Sequence, residues 1–269
     1  MTIIEQALSE TAPKVLATLS KTIHFFFNRV LYRTVILSSP GSIHALHRTA
    51  TTSPHLLSQV KKLVVSWDQS DNLLNAKLSE IIEACRSLQA IVLPTLTSSI
   101  PDLAAHHDLK ELVTPVFEDD ETTNHFKLLP RADTITRLRF TEPGECGWLS
   151  PCEMLARFGN PRNLSHIQFS RRTGANEQND LVFAEEVASI LLSYPKLRLV
   201  VVSVFKGYAW SSDVSAVEDS HVWKILLDLK ELDDRVVLVE GHRREWKKEY
   251  EDFHPEDSID SRFWARFDD

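Results

Sequence analysis

Apolar residues recur along this chain in a short pattern, L-x-x-L-x-L, whose last two apolar positions lie two residues apart. Side chains two residues apart share one face of a β-strand, so each copy predicts a strand with one buried face. Five clear copies and a weaker one (the third) stand at Val60-Leu63-Val65, Leu88-Ile91-Leu93, Leu109-Leu112-Thr114, Ile135-Leu138-Phe140, Leu164-Ile167-Phe169 and Leu197-Val200-Val202.

Helical stretches lie between these predicted strands. Apolar residues at three- and four-residue spacing predict helices over 73–85, 152–158, 182–192 and 222–229. The copies begin at residues 60, 88, 109, 135, 164 and 197, in steps of 28, 21, 26, 29 and 33 residues. Leucine-rich repeats have a similar strand motif and periods of about 20 to 29 residues. The sequence therefore predicts an α/β fold, a leucine-rich-repeat-like solenoid of alternating strands and helices with a curved parallel sheet.

The two ends depart from the repeat and divide the chain into three parts. Residues 1–37 predict an N-terminal helical cap, with helices over 12–19 and 23–30, followed by a first strand over 31–37. Residues 38–240 are the predicted irregular repeat domain. Residues 241–269 predict a C-terminal helical cap, because aromatic side chains recur at helical spacing in Trp246-Tyr250-Phe253 and in Phe263-Trp264-Phe267.

The residues between the apolar anchors are expected to face away from the helices, where a solenoid of this kind binds its partners. In two central copies these positions hold Arg137 and Arg139, then His166 and Gln168. Arginine guanidinium groups, which can donate two parallel hydrogen bonds, suit the recognition of a protein surface when other hydrogen-bonding side chains lie beside them. These four residues are therefore the predicted protein-binding site. An ordinary polar, solvent-exposed strand face accounts for the same composition equally well.

The longest insertion between predicted elements, residues 207–220, carries the aromatic residues Tyr208 and Trp210. Aromatic residues in loops are frequent anchors at protein interfaces, so we expect these two to contribute to the protein-binding site. Covering the repeat core as apolar plugs is the alternative role for them.

The composition and charge of the chain disfavour several classes of protein. Its 269 residues are 43% hydrophobic, enough for a sizeable core, and its formal net charge is −8, which disfavours nucleic acid as a partner. Three cysteines are too few for a disulfide framework. The start of the chain does not resemble a signal peptide, and no apolar stretch reaches the roughly 20 residues of a membrane helix. We therefore expect a monomeric cytoplasmic or nuclear protein with no membrane partner.

Signals for catalysis are weak. The seven glycines form no phosphate-binding loop, and the sequence has no G-x-S-x-G or H-E-x-x-H motif. Cys146 and Cys152 lack a second pair of ligands at the short spacing that zinc sites use. We expect a protein that is not an enzyme and has no cofactor or metal. A hydrolase without a recognisable motif is the alternative.

Residues 20–37, and above all Leu31-Tyr32-Arg33-Thr34-Val35, resemble the end of the F-box region and the first repeat strand of fungal F-box/leucine-rich-repeat-like proteins. Residues 60–65, 82–88, 245–246 and 262–265 extend this resemblance along the chain. The segment is shorter than an F-box region and lacks its Leu-Pro-x-Glu-like opening. The resemblance implies a substrate receptor of a cullin-RING (SCF-type) ubiquitin ligase that binds an Skp-type adaptor through residues 1–37. A free-standing repeat domain without adaptor binding is the alternative.

Overall fold

Each copy of the apolar pattern contains a strand of one parallel sheet. The computed structural model describes residues 21–67, 72–94, 103–114, 132–144, 149–207, 216–251, 259 and 262–267. Its eight strands lie in the sheet in chain order, each parallel to the next, which confirms the predicted α/β class and parallel sheet. The strands are β1 Thr34–Leu37, β2 Lys62–Val65, β3 Ala90–Val92, β4 Glu111–Thr114, β5 Arg137–Phe140, β6 His166–Arg172, β7 Leu199–Phe205 and β8 Val236–Gly241.

The helices within the described residues agree with the prediction in most of their bounds. They are α1 Lys21–Leu31, α2 Pro40–Thr52, α3 Pro54–Leu57, α4 Asn72–Ala84, α5 Pro151–Arg157, α6 Glu177–Ser193, α7 His221–Leu232 and α8 Glu245–Glu251. The prediction missed α2, α3 and β8, and it began the first strand at residue 31, which ends α1 instead. The helix predicted over 12–19 lies outside the described residues.

Capping residues fix where several helices begin. Helix α5 starts with a capping box: the Ser150 side chain accepts a hydrogen bond from the Glu153 amide, and the Glu153 carboxylate accepts one from the Ser150 amide. Helix α6 starts five residues before its predicted start, because Asn176 caps it by accepting a hydrogen bond from the Gln178 amide at 2.8 Å.

One face of the sheet forms the main core together with the helices. The second anchors of the six copies occupy equivalent positions of neighbouring strands, and all six are fully buried: Leu63, Ile91, Leu112, Leu138, Ile167 and Val200. Apolar residues of α2 to α7 belong to the same cluster. Because burial of apolar side chains is the main stabilising contribution to folding, this shared cluster holds strands and helices together.

The opposite face of the sheet is covered by the C-terminal part of the chain. Trp246 and Tyr250 of α8 pack on valines of β2, β3 and β4, and Phe263 and Trp264 pack on β7. A short 3-10 helix, Trp264–Arg266, belongs to this covering layer. The aromatic residues in the described part of residues 241–269, which the sequence predicts to be a C-terminal helical cap, pack on this face of the sheet.

Candidate functional site

The residues predicted to face away from the helices form two continuous rows across the sheet. The first row joins Lys62, Ala90, Glu111, Arg137, His166 and Leu199, each in register with the next. The second row joins Val64, Val92, Val113, Arg139, Gln168 and Val201. The predicted grouping of Arg137, Arg139, His166 and Gln168 is therefore confirmed as a spatial cluster on β5 and β6.

The predicted exposure of this cluster is wrong for three of the four residues. Arg139 is 1% exposed, Gln168 is 4% exposed and His166 is 8% exposed. The C-terminal aromatic residues cover them: the Arg139 guanidinium lies 3.8 Å from the Phe263 ring centre, and the His166 and Trp264 ring centres are 5.2 Å apart. Arg137 alone of the four stays half-buried.

Arg139 is held by a bidentate ion pair with α8. Its Nη1 and Nη2 atoms donate to Oε2 and Oε1 of Glu249 at 2.9 and 2.8 Å, and its Nε donates to Oε1 of Gln168 at 2.9 Å. The Gln168 amide donates onward to Ser203 Oγ at 2.8 Å. Burial lowers the pKa of Arg139, but the attraction and hydrogen bonds of Glu249 outweigh it, so the pKa stays above its usual range.

Other buried polar groups join the C-terminal segment to the sheet. Trp264 Nε1 donates to Glu111 Oε1 at 2.9 Å. Lys62 Nζ donates to the carbonyl oxygen of Ile259 at 3.1 Å. A buried polar group without a hydrogen-bond partner destabilises the folded state. These bonds therefore help to hold the covering layer in one position on the sheet.

A row of backbone hydrogen bonds runs along the amino-terminal edge of the sheet, through the residues that directly precede β1 to β7. From Arg33 to Ser165, each carbonyl oxygen in this edge row accepts a hydrogen bond from the amide of the next member of the row, on the neighbouring strand, at distances from 2.7 to 2.9 Å. The members of the edge row are Arg33, Lys61, Gln89, Lys110, Thr136, Ser165 and Arg198. The fold thus aligns four cationic side chains along a single edge.

A cavity of about 940 Å³ opens at this edge, beside the first row of outward residues. Its described lining holds five cationic side chains, those of Arg33, Lys110, Arg137, Lys196 and Arg198. Glu111 is the one carboxylate among the described lining residues, and it is engaged by Trp264. Of the predicted site residues, Arg137 and His166 line this cavity, whereas Arg139 and Gln168 do not. Tyr208 and Trp210 lie outside the described residues.

Sequence reasoning considered the outward positions and missed the edge row. The missed signal is the residue that precedes the first outward position of each copy, where Lys61, Lys110 and Arg198 recur at equivalent places. Parallel strands in register bring such residues to one edge, about 4.8 Å apart from strand to strand. The recurrence of lysine or arginine at this position, in a chain of net negative charge, is therefore the sequence feature that could have predicted a cationic edge.

Ser165 and His166 lie side by side in the lining, and their geometry is structural. Ser165 Oγ donates to the Thr136 carbonyl oxygen at 2.9 Å, so its proton is already in use. The His166 Nδ1 atom lies 2.8 Å from Ser165 Oγ, and because the serine proton is already in use, Nδ1 is the donor to Oγ. An activated serine would instead donate to the histidine, as a general base requires. This pair therefore gives no support to a hydrolase.

The described part of the chain contains no cluster of metal-binding side chains and no thiol with a lowered pKa. Those residues contain no group of three or more His, Cys, Asp or Glu side chains that is arranged to hold a metal ion. Burial raises the pKa of Cys85 to about 12, and burial with the repulsion of Glu186 raises that of Cys152 to about 11. Thiols with such values are poor nucleophiles near neutral pH.

Within the described residues, no helix is long and apolar enough to span a membrane. Comparison of the sequence with protein-family models and with curated proteins gives no match.

Proposed function

We propose that this protein is a non-catalytic scaffold for protein recognition, with a leucine-rich-repeat-like solenoid as its framework. The observation that carries the proposal is the strand order: eight parallel strands follow one another in chain order while the helices share one face. Among the described strands β1 and β8 do not pair, which argues against a closed barrel. The order also has no reversal, the feature at which open α/β sheets bind nucleotides.

The cavity at the amino-terminal edge is the proposed recognition site. The centre of the outward face is filled by α8 and by the segment around Trp264, so a partner reaches only what these leave open. Arg137 lines the cavity and stays half-buried, which makes it the best single probe of the site.

We expect Arg137→Glu to lose partners that the wild-type protein captures in proximity labelling, with Arg48→Glu on the exposed side of α2 as the matched control. Partner sets are compared only after circular dichroism and thermal unfolding have shown that both variants are folded at the assay temperature, because Arg137 is half-buried and lies in register beside the buried Glu111. If the partner sets of wild type and Arg137→Glu coincide, the cavity is not the recognition site.

The ubiquitin-ligase role that the resemblance implies has a second support, on α1. Phe25 and Phe26 are 56% and 43% exposed, and their ring centres are 5.7 Å apart in an edge-to-face arrangement. Exposed paired aromatic residues are a frequent feature of protein contacts. They lie in the region, residues 1–37, through which we propose that an Skp-type adaptor binds.

The adaptor proposal is tested by co-purification of the full chain with an Skp-type adaptor. We expect the wild type to retain the adaptor and Phe25→Glu/Phe26→Glu to lose it. The control is Leu192→Glu/Leu232→Glu, which changes two leucines on α6 and α7 that are 86% and 85% exposed. If the wild type retains no adaptor, the receptor role fails and the chain works as a free-standing repeat domain.

A further inference from the structure

We propose that the outward face of the sheet is a second interaction surface, which the covering layer occupies as an intramolecular ligand. Its external partner is a protein segment with the same order of aromatic and acidic side chains as the layer. The covering layer here means the described residues that follow β8, which are 242–251, 259 and 262–267. This inference rests on the proposed scaffold function and adds to it a surface that a partner reaches by displacing the layer.

The covering layer can leave without breaking the sheet. It adds no strand within the described part of the chain, because β8 is the last strand there and ends at Gly241. The main core, on the opposite face of the sheet, contains none of its residues. Release of the layer therefore breaks only the contacts that the layer itself makes, which is the condition for local opening at a lower free energy than global unfolding.

The turn from β8 into α8 is strained and is held by a carboxylate. Arg244, within this turn, has a φ of 59°, in the left-handed region that is unfavourable for arginine. Glu142 Oε1 accepts hydrogen bonds from the Arg244 amide at 2.8 Å and from the Trp246 indole nitrogen at 3.0 Å. Glu142 lies beyond the end of β5 and outside the two rows of outward residues. Removal of its carboxylate should therefore loosen the layer and leave those rows unchanged.

The contacts of the layer define the chemistry of a partner that replaces it. Trp246 and Tyr250, one helical turn apart on α8, cover valines of β2, β3 and β4, and Trp264 covers β7. Glu249 supplies the carboxylate that the buried Arg139 requires. Release alone would expose the valines and leave the arginine without a carboxylate, so opening is favourable only when a partner supplies both. The partner segment should therefore have the order aromatic-x-x-acidic-aromatic, with further aromatic residues after it.

The layer does not fill the outward face completely. A cavity of about 100 Å³ lies between the layer and the sheet, with Arg139 and Thr141 on one side and Glu249 and Phe263 on the other. Thr141 is 5% exposed, and its hydroxyl oxygen has no hydrogen-bond partner among the described residues. A partner that places a hydrogen-bonding group in this cavity would gain a contact that the layer does not make. Such a contact helps an external segment to compete with one that is covalently attached.

The test uses the full chain and a fluorescein-labelled peptide, with binding followed by fluorescence anisotropy. The peptide has the length of residues 242–269 and carries alanine, glutamine or lysine at every position except five, which are Trp246, Glu249, Tyr250, Phe263 and Trp264. We expect saturable binding to Glu142→Ala and binding at least about tenfold weaker to wild type, because the intact layer competes. Glu249→Gln in the peptide should weaken its binding to Glu142→Ala about tenfold. The control chain Glu80→Ala, which loses an exposed carboxylate of α4, should stay within about twofold of wild type.

Hydrogen exchange of the wild-type protein gives a second measurement that needs no variant. The amides of α8 should exchange at least about tenfold faster than those of β6 and β7, because the layer opens while the sheet stays folded. Added peptide should speed exchange in α8 further and leave β6 and β7 unchanged.

Three outcomes overturn the inference. Exchange of α8 at the rate of β6 and β7 would show that the layer does not open separately. Equal binding of the peptide by wild type and Glu142→Ala, or binding by neither, would show that the layer does not cover a site for it. A dimer of Glu142→Ala that the peptide does not dissociate, seen in light scattering, would assign the surface to a second copy of the chain. Loss of partners in Arg137→Glu together with any of these outcomes would leave the scaffold proposal standing and remove only the second surface.

Discussion

The buried ion pair between Arg139 and Glu249 should fix the C-terminal segment on the sheet. The side chains of Arg139 and Glu249 are 2% and 7% exposed, so Glu249→Leu would leave a guanidinium enclosed without its carboxylate. Removing one member of a buried pair typically costs about 3 to 5 kcal/mol. Arg139 would keep its hydrogen bond to Gln168 and its contact with Phe263, so we expect the lower end, about 3 kcal/mol.

The measurement is urea unfolding followed by tryptophan fluorescence. Trp246 and Trp264 are 4% and 1% exposed and both lie in the covering layer, so its release should also shift the emission to longer wavelength before global unfolding. The control is Glu80→Leu, which removes the carboxylate of an exposed pair with His47. That change should alter the free energy of unfolding by less than about 1 kcal/mol.

A double variant separates the loss of the pair from the loss of a side chain. Arg139→Met/Glu249→Leu removes both charges, and replacing a whole buried pair by apolar residues is often close to neutral. The double variant would still leave the Gln168 oxygen without its arginine, so we expect it to recover about 2 kcal/mol relative to Glu249→Leu. If Glu249→Leu costs no more than Glu80→Leu, or if the single and double variants are equally destabilised, the ion pair does not hold the segment.

Three smaller predictions concern the same layers. Trp264→Phe keeps an aromatic side chain but removes the indole N–H that donates to Glu111, and should lower the free energy of unfolding by about 1 to 3 kcal/mol in urea titration. Gly241→Ala should lower the thermal midpoint, at a cost of about 1 to 3 kcal/mol, because the new Cβ would lie 2.3 Å from the buried Phe205 ring. Burial raises the pKa of Cys85 to about 12. Stability linked to this thiol is complete below its unfolded pKa, near 8.5, and is lost as pH rises toward 12, so between pH 9 and 10 the wild type should lose about 1 kcal/mol more than Cys85→Ala.

The strands could be predicted because their signal is local. In each copy two apolar residues two apart face the helices, and burial of that face leaves one register in which neighbouring anchors such as Leu63 and Ile91 meet. Strand β8 was not predicted, because Val236, Val237, Leu238 and Val239 form a continuous apolar run without the alternation of apolar and polar residues that marks the other strands. Helix α2 was not predicted because its apolar face is small: only Ile43 and Leu46 of its 13 residues are buried.

The covered face could not be predicted in the same way, because the residues that cover it are distant in sequence. Glu249 lies 110 residues from Arg139, and Trp264 lies 153 residues from Glu111. A partial signal was present: the outward positions of the flanking copies hold valines such as Val64 and Val92, which an exposed face would not favour. The aromatic residues of the C-terminal part are the matching apolar surface.

Arg137 and Arg139 show why residue type alone does not identify a recognition site on such a sheet. The two arginines stand two residues apart on β5 and face the same side. Arg139 is paired with α8, whereas Arg137 lies nearer the open edge and lines the cavity. Charge reversal of both together would confound loss of binding with loss of the buried pair. Only the single change at Arg137 tests recognition, because it leaves the contact between Arg139 and Glu249 intact.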